Sequence, residues 1–557
     1  MSGKHHASSG GVGSRASAKR KRKRAASAFI ATSVCAGQDG EADTPPPAVQ
    51  WWADEAREGQ AADRGRRLLA NLLQLPVEVF EERHWLQQPY VRHMSPRERA
   101  EAQDNPRHWM HMLLLRQVQA LLRRTHPRPA RWLHDVDATR YVDGRRMALA
   151  EGAGDVDVAA TWQAFRREGY SLRLVHPQQW HRAAYELCAH LQEYFGFPVG
   201  CSSYLTPAAT QGFPPHYDDV EIFVLQLEGR KRWRLYHRPD EGTAPSPRVT
   251  TEFSQAALGE PFRELVLEAG DVMYFPRGVV HQAVADPTAP SLHLTFSTYQ
   301  RHTWRDLLAL ALAHDTSATA ALSALAAEGP GWVHSDLPLD IMATPSAGHP
   351  AAAWERWGGR LIPPRVPMHI TRALRRPGVL GRGIDWLCKA FLTNSLPPPP
   401  RRQAPARETV TLATGKLDAP PLTLGCSVRL AAPWCARLVD ESHGFSEVAS
   451  WGKADAAPQL VLYTNAANGR SLEAPASPAF EVLPELGSRV LALLAAGHAG
   501  MRVEVLLALA ERDGDGDRGG GDAEVGGGPQ AGVAGDLGAD LLDLLDLLLE
   551  HGVITRV

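Results

Sequence analysis

Residues Gly212–Tyr236 read GFPPHYDDVEIFVLQLEGRKRWRLY. A His and two Asp open a stretch that then turns apolar, and Lys231 follows among residues that look buried. Side chains in a strand alternate faces, so His216 and Asp218 are expected on one side and Asp219 on the other. A His and a carboxylate on one face supply two members of the two-His, one-carboxylate set of non-haem Fe(II) oxygenases. Such a set fills one face of an octahedron and leaves the other open for substrate and O2. H-x-D alone carries little weight, because such pairs are common.

A third ligand should stand on a strand folded back beside the first. EAGDVMYFPRGVVHQAV (Glu268–Val284) supplies it. Gly270-Asp271 reads as a turn, VMYFP as a strand and Gly278 as a second turn, after which His281 opens another strand. Lys231 then has a reason to be buried, because a buried cation needs an anion. If a metal binds 2-oxoglutarate through its keto-acid end, a Lys on the neighbouring strand can hold the far carboxylate. Such a charge-assisted hydrogen bond is worth about 1.5–3 kcal/mol. Thr295 could add a hydroxyl. The plainer alternative makes Lys231 a cation that snorkels to the surface. His293 reads as a core histidine, and His176, His237 and His302 have no evident partner.

The chain around this stretch has 557 residues, enough for several domains and a large core. Its net charge of −2 hides an asymmetry: the first 38 residues carry eight Lys or Arg and no acid, leaving the rest at −10. Lys19–Arg24 are six consecutive cations, which repel one another and cannot be buried. Residues 1–64 are therefore expected to be a disordered basic arm. The run reads as a nuclear import signal, with a solvated tail or a nonspecific nucleic-acid arm as alternatives. Six scattered cysteines without a C-x-x-C pair argue against a zinc ribbon and a disulfide scaffold, and favour a reducing compartment. No apolar run reaches the length of a membrane span.

Helices are expected at RLLANLL and in PVEVFEERHWLQQPYVRH, where the helix leads into a strand, then a mixture of helices and loops over 105–165, a strand at Tyr170–His176 and a helix ended by Gly196. A strand-rich block follows from about 198 to 300, and helices return over 301–395. LPPPPRRQAP (Leu396–Pro405) reads as a stiff linker. Residues 406–557 show strand-like runs (ETVTLA, CSVRLA, QLVLYT), a Gly- and Asp-rich insertion at 512–535 and a closing helix with six leucines on one face. Helix followed by VITRV suggests a winged helix; any amphipathic helix on a small sheet is the alternative. That closing helix is acidic, so direct nucleic-acid binding is not expected and a protein contact is.

YLTPAATQGFPPHYDDVEIFVLQLEGRKRWRLY, GDVMYFPRGVVHQA and SLHLTFSTYQRHTW resemble the JmjC-domain ribosomal oxygenases, most of all their nucleolar histidyl-hydroxylase branch. The resemblance is strong through 167–306 and thin after 400. It implies an α+β chain: a double-stranded β-helix (JmjC, cupin-like) barrel with helical elaboration over 65–300, a helical dimerisation region at 301–395, a linker at 396–405 and a C-terminal winged helix at 406–557. It implies His216, Asp218 and His281 as iron ligands, with Lys231 on 2-oxoglutarate, Thr295 nearby and Ser202 beside the cosubstrate. Arg173, Tyr204 and Ser297 match positions that line the peptide groove. Ser202 departs from the Asn usual in the family, and its shorter hydroxyl is expected to weaken a cosubstrate or substrate hydrogen bond. The implied reaction uses Fe(II), 2-oxoglutarate and O2, releases succinate and CO2, and hydroxylates the β carbon of a histidine in a ribosomal protein. The resemblance places a homodimer in the nucleus, in the nucleolus. The alternatives are demethylation of a histone H3 lysine by the same chemistry, an idle barrel serving as a scaffold, and a cupin enzyme that does not use 2-oxoglutarate. Lys231 argues against the last two.

Overall fold

The computed structural model describes residues 61–124, 128–239, 252–298, 302–313, 315–327, 368–376, 379–398 and, with gaps, 422–509, then 531–557, together with Leu337 and Ile341. Lys19–Arg24, the strand expected at ETVTLA and residues 512–530 lie outside the described residues. No described helix is long and apolar enough to cross a membrane.

Eleven strands build the centre: β1 (Tyr90–Arg92), β2 (Val136–Val142), β3 (Arg145–Ala148), β4 (Ser171–Val175), β5 (Val199–Thr206), β6 (Glu221–Glu228), β7 (Arg230–Tyr236), β8 (Arg263–Glu268), β9 (Val272–Phe275), β10 (Val280–Ala285) and β11 (Ser291–Thr298). The larger sheet runs β1-β9-β6-β11-β5-β4-β2-β3 and the smaller β10-β7-β8. Residues from both sheets meet in one core: Ile222, Val224, Met273 and Phe275 from the large sheet, Trp233, Leu235 and Leu267 from the small one. The other face of the large sheet is covered by helices, among them Ala61–Leu73 and Arg182–Phe195. This two-layer antiparallel barrel is the double-stranded β-helix that the sequence leads one to expect.

The apolar run of β6 now has a cause. Ile222 and Val224 point into the barrel, while Phe223, Leu225 and Leu227 point into the helix-covered core, so both faces are buried. β7 alternates instead. Lys231, Trp233 and Leu235 are buried, while Arg230 and Arg232 are exposed and Arg234 is partly so. Gly229 makes the turn between the two strands at φ +68°, and a Cβ there would lie 2.1 Å from the Pro290 carbonyl oxygen. Gly229→Ala is expected to destabilise the protein by at least about 2 kcal/mol, combining left-handed strain with that clash. A denaturant midpoint at unchanged slope checks this.

Four expectations need correction. The disordered arm expected over 1–64 does not reach its C-terminal bound, because a helix already begins at Ala61. Residues 105–165 hold more than helices and loops: β2 and β3 form a hairpin there. Its turn, Asp143-Gly144, has positive φ at both residues (51° and 76°), as an Asp-Gly pair readily adopts. The linker at 396–405 does not begin as a free spacer. Leu396 is buried, its N–H donates to Gln192 Oε1 (3.0 Å), and the Tyr185 hydroxyl donates to the Pro398 oxygen (2.9 Å). Nor does this boundary separate independent bodies, since Arg437 donates twice to Asp385 Oδ1 in the preceding helix, Val379–Asn394 (2.8 and 2.6 Å). Lastly, residues 531–535 of the expected insertion are helical, because the last helix already begins at Ala531.

The C-terminal region has β12 (Ser427–Leu430), β13 (Ala436–Asp440), β14 (Leu460–Thr464), β15 (Phe480–Val482), β16 (Met501–Arg502) and β17 (Ile554–Arg556). They form two small sheets, β16-β12-β17 and β13-β14-β15. The helix Ala531–Glu550 buries Leu541, Leu544, Leu545 and Leu548. Gly552 (φ 69°) then turns the chain into β17. This helix-then-strand order satisfies both the winged-helix reading and its plainer alternative.

Candidate metal centre

His216 and Asp218 precede β6 rather than stand in it, so strand alternation is not what aligns them. Their geometry comes from a two-residue bridge. The His216 N–H donates to the His281 oxygen (3.2 Å) and the His281 N–H to the His216 oxygen (2.8 Å). The bridge sets the two imidazoles side by side, with ring centroids 4.4 Å apart. Each Nδ1 faces a carbonyl oxygen, that of Pro214 for His216 (2.9 Å) and of Val279 for His281 (3.1 Å). A carbonyl only accepts, so Nδ1 carries the hydrogen and Nε2 presents a lone pair. Both Nε2 atoms face the Asp218 carboxylate, at 3.9 and 3.8 Å. The ligand atoms of the three residues all lie within 4.8 Å of one another. Burial, with His216 alongside, pushes the His281 imidazole down to about 4, which keeps it neutral. Two neutral imidazoles and one carboxylate are a donor set suited to Fe(II). Asp219 is buried and lies outside this group.

Lys231 is buried within the same cavity. Its ammonium donates to Thr206 Oγ1 (3.1 Å) and stands 5.7 Å from the Trp233 ring centre. Among the described residues no carboxylate pairs with it, and burial pushes its pKa down to about 7. A cation held at that cost is a receptor for an anion. The snorkelling alternative is excluded, because the side chain points inward. A cavity of about 260 Å³ connects this amine to the triad.

The mouth of the cavity carries charge of both signs. Arg173 and Arg146 each reach Asp137 Oδ2 (3.3 and 3.4 Å), and Arg146 also reaches Glu252 (3.3 Å). Both guanidinium groups flank Phe213, at 4.9 Å for Arg146 and 5.8 Å for Arg173. Deeper in, Tyr204 stacks on His293 with centroids 4.9 Å apart. Burial raises the Tyr204 hydroxyl above its ordinary pKa, so it stays protonated.

Of the residues singled out in the sequence, His216, Asp218, His281, Lys231, Thr295, Arg173 and Tyr204 line this cavity, and Ser202 and Ser297 do not. Ser202 is opposite Thr295 in the sheet, and Ser297 opposite Gly200. His293 is buried and lines the cavity as well, outside the triad. Of the three histidines without an evident partner, His176 lies 3.3 Å from Gln178 Nε2, and His237 and His302 pack against Phe262 and Phe197. Sequence reasoning missed Thr206, Asp137, Arg146 and Glu252. Thr206 left one signal: it is two residues from Tyr204 and so shares its face of β5.

Residues 173–307 match the JmjC domain family. The chain is 38% identical over 277 residues to the bifunctional lysine-specific demethylase and histidyl-hydroxylase NO66 of Dictyostelium discoideum, covering 48% of this chain and 50% of that one. It is 41% identical over 263 residues to ribosomal oxygenase 1 of Rattus norvegicus, covering 47% of this chain and 42% of that one. The chain thus spans half or less of these relatives. Among solved structures, that of E. coli ycfD aligns over 87% of this chain and 99% of that one, at 14% identity and a TM-score of 0.39. The matched JmjC domain contains the whole triad and Lys231, and over this part the chain is similar to ribosomal oxygenases and to a histidyl-hydroxylase.

Proposed function

We propose that this chain is an Fe(II)- and 2-oxoglutarate-dependent protein hydroxylase acting on a histidine side chain of a ribosomal protein. One observation carries the reading: a two-His, one-carboxylate set shares one cavity with a buried lysine that has no carboxylate partner among the described residues. His216 Nε2, His281 Nε2 and Asp218 would hold the metal. Bound Fe(II) supplies O2 activation, which couples decarboxylation of 2-oxoglutarate to hydroxylation of a C–H bond. Lys231, with Thr206, receives the distal carboxylate and so fixes which end of the 2-oxo acid faces the triad. Ile222, Val224 and Phe275 line the same cavity with apolar surface, which limits water there. Arg173, Tyr204 and Phe213 form the approach for a substrate side chain, a planar ring being suited to stacking on Phe213.

The name of the Dictyostelium relative carries two activities, and it supports one alternative, demethylation of a lysine; a histone H3 lysine is the substrate we propose for it. Hydrogen abstraction from an N-methyl group needs the same cavity. Incubation with Fe(II), 2-oxoglutarate, O2 and two peptides separates them, one a His-containing ribosomal segment and the other a trimethyl-lysine histone H3 tail. Mass spectrometry should find one added oxygen on the ribosomal peptide, absent with His216→Ala. Loss of methyl groups from the histone peptide would replace this reading with the demethylase. No succinate in either would favour an idle scaffold.

The reading extends to a homodimer built on the helices of 301–395, to nuclear import directed by Lys19–Arg24 and, from the family resemblance, to the nucleolus. The helices among the described residues of that region and the purity of the cation run support it. Light scattering tests the dimer, and imaging of a tagged chain with those six cations replaced by Ala tests the address.

A further inference from the structure

Glu221 opens β6 three residues after Asp218, and its side chain is 1% exposed. Its Oε2 accepts a hydrogen bond from the Tyr274 hydroxyl, and its Oε1 accepts from the Arg277 N–H (3.1 Å). Arg277 lies in the turn between β9 and β10, four residues before His281. The next amide of that turn, Gly278 N–H, donates to the Asp218 carbonyl oxygen (3.2 Å). Two successive amides of the His281 turn are therefore fastened to the segment that carries Asp218. The Tyr274 oxygen in turn accepts from the Leu86 N–H (2.9 Å), which anchors the assembly to the N-terminal layer.

We propose that Glu221 is a positioning residue of the metal centre, whose carboxylate sets the distance between the Asp218 segment and the His281 turn. The inference rests on the reading of His216, Asp218 and His281 as metal ligands. Burial is costly for a carboxylate, and it pushes Glu221 up to about 7 despite the bonds from Tyr274 and Arg277. A residue kept at that cost, beside a turn that carries a ligand, acts on the site through geometry. Groups that orient ligands typically change metal affinity by about 10–100-fold when removed.

The test is Co(II) titration of the full chain, followed by its visible absorption bands, which report coordination geometry, with circular dichroism as a check on folding. Glu221→Ala and Glu221→Asp should each weaken Co(II) binding about 10–100-fold and alter the bands. The Asp carboxylate is too short to reach both Tyr274 and Arg277, so this variant carries the test if the Ala variant does not fold. Glu221→Gln keeps an oxygen for the Arg277 N–H, and should restore affinity to within about threefold of the native chain. Tyr274→Phe removes the anchor but leaves the Arg277 bond, so it should lower thermal stability with less than about threefold change in Co(II) affinity. Native affinity and bands in the Asp variant would overturn the proposal. So would an equal loss of affinity in Tyr274→Phe, because that would make the effect one of stability. Failure of the native chain to bind Co(II) would instead overturn the ligand reading beneath it.

Discussion

Asp218→Ala is expected to abolish product formation and to weaken metal binding by more than about 100-fold, because loss of a direct ligand exceeds the loss from an outer partner. Asp218 is the one anion of the triad, facing both imidazoles at 3.9 and 3.8 Å. Without it, a dication would meet two neutral nitrogens and no charge. The same substitution should leave the metal-free fold intact. The Asp218 side chain is 28% exposed and spans no core, so the melting temperature should move by no more than a few degrees. A variant that unfolds, or one that still hydroxylates, would remove Asp218 from the role given to it.

Lys231→Met is expected to raise stability while removing 2-oxoglutarate binding. Replacing a buried, uncompensated cation with an apolar side chain of similar length should stabilise the fold by about 1–3 kcal/mol at neutral pH. Leaving the cosubstrate carboxylate unpaired should cost about 2–5 kcal/mol of binding, or roughly 30-fold to several thousand-fold in affinity. The pH dependence has a definite sign. Burial lowers the folded pKa to about 7 from 10.5. Between those values the unfolded chain holds a proton that the folded chain lacks, so for this group native stability rises with pH. The advantage of the Met variant is therefore full below pH 7 and shrinks above it. Cosubstrate affinity runs the other way, since the carboxylate needs the ammonium form. For the native chain loaded with Mn(II), it should fall by about tenfold per pH unit above 7.5. Calorimetry showing a flat affinity from pH 6.5 to 9 would contradict this.

The barrel was legible because its strands carry local marks: β6 is apolar on both faces, β7 alternates, and Gly270 and Gly278 take the positive φ their turns need (94° and 86°). The triad was legible too, although for a partly mistaken reason. His216 and Asp218 do not share a strand face; a backbone bridge to His281 orients them, and no periodicity reveals that. The β2–β3 hairpin was missed although Asp143-Gly144 marks its turn, because polar residues interrupt the alternation. With the hairpin went Asp137 and Arg146, which meet Arg173 and Glu252 only after strands distant in sequence pair. Glu221 is hidden for a similar reason. Its partners are a backbone amide and a hydroxyl more than fifty residues away. The linker misled because its prolines predict stiffness and say nothing of what Leu396 packs on.

A crystal of the full chain grown without O2 in the presence of Mn(II) and 2-oxoglutarate, with anomalous scattering recorded at the manganese edge, puts the triad and Lys231 to one test. One strong peak is expected, bounded by His216 Nε2, His281 Nε2 and the Asp218 carboxylate. Beside it should lie a dicarboxylate whose far end meets Lys231 and Thr206. A peak elsewhere, or a dicarboxylate bound away from Lys231, would contradict the assignment of this cavity.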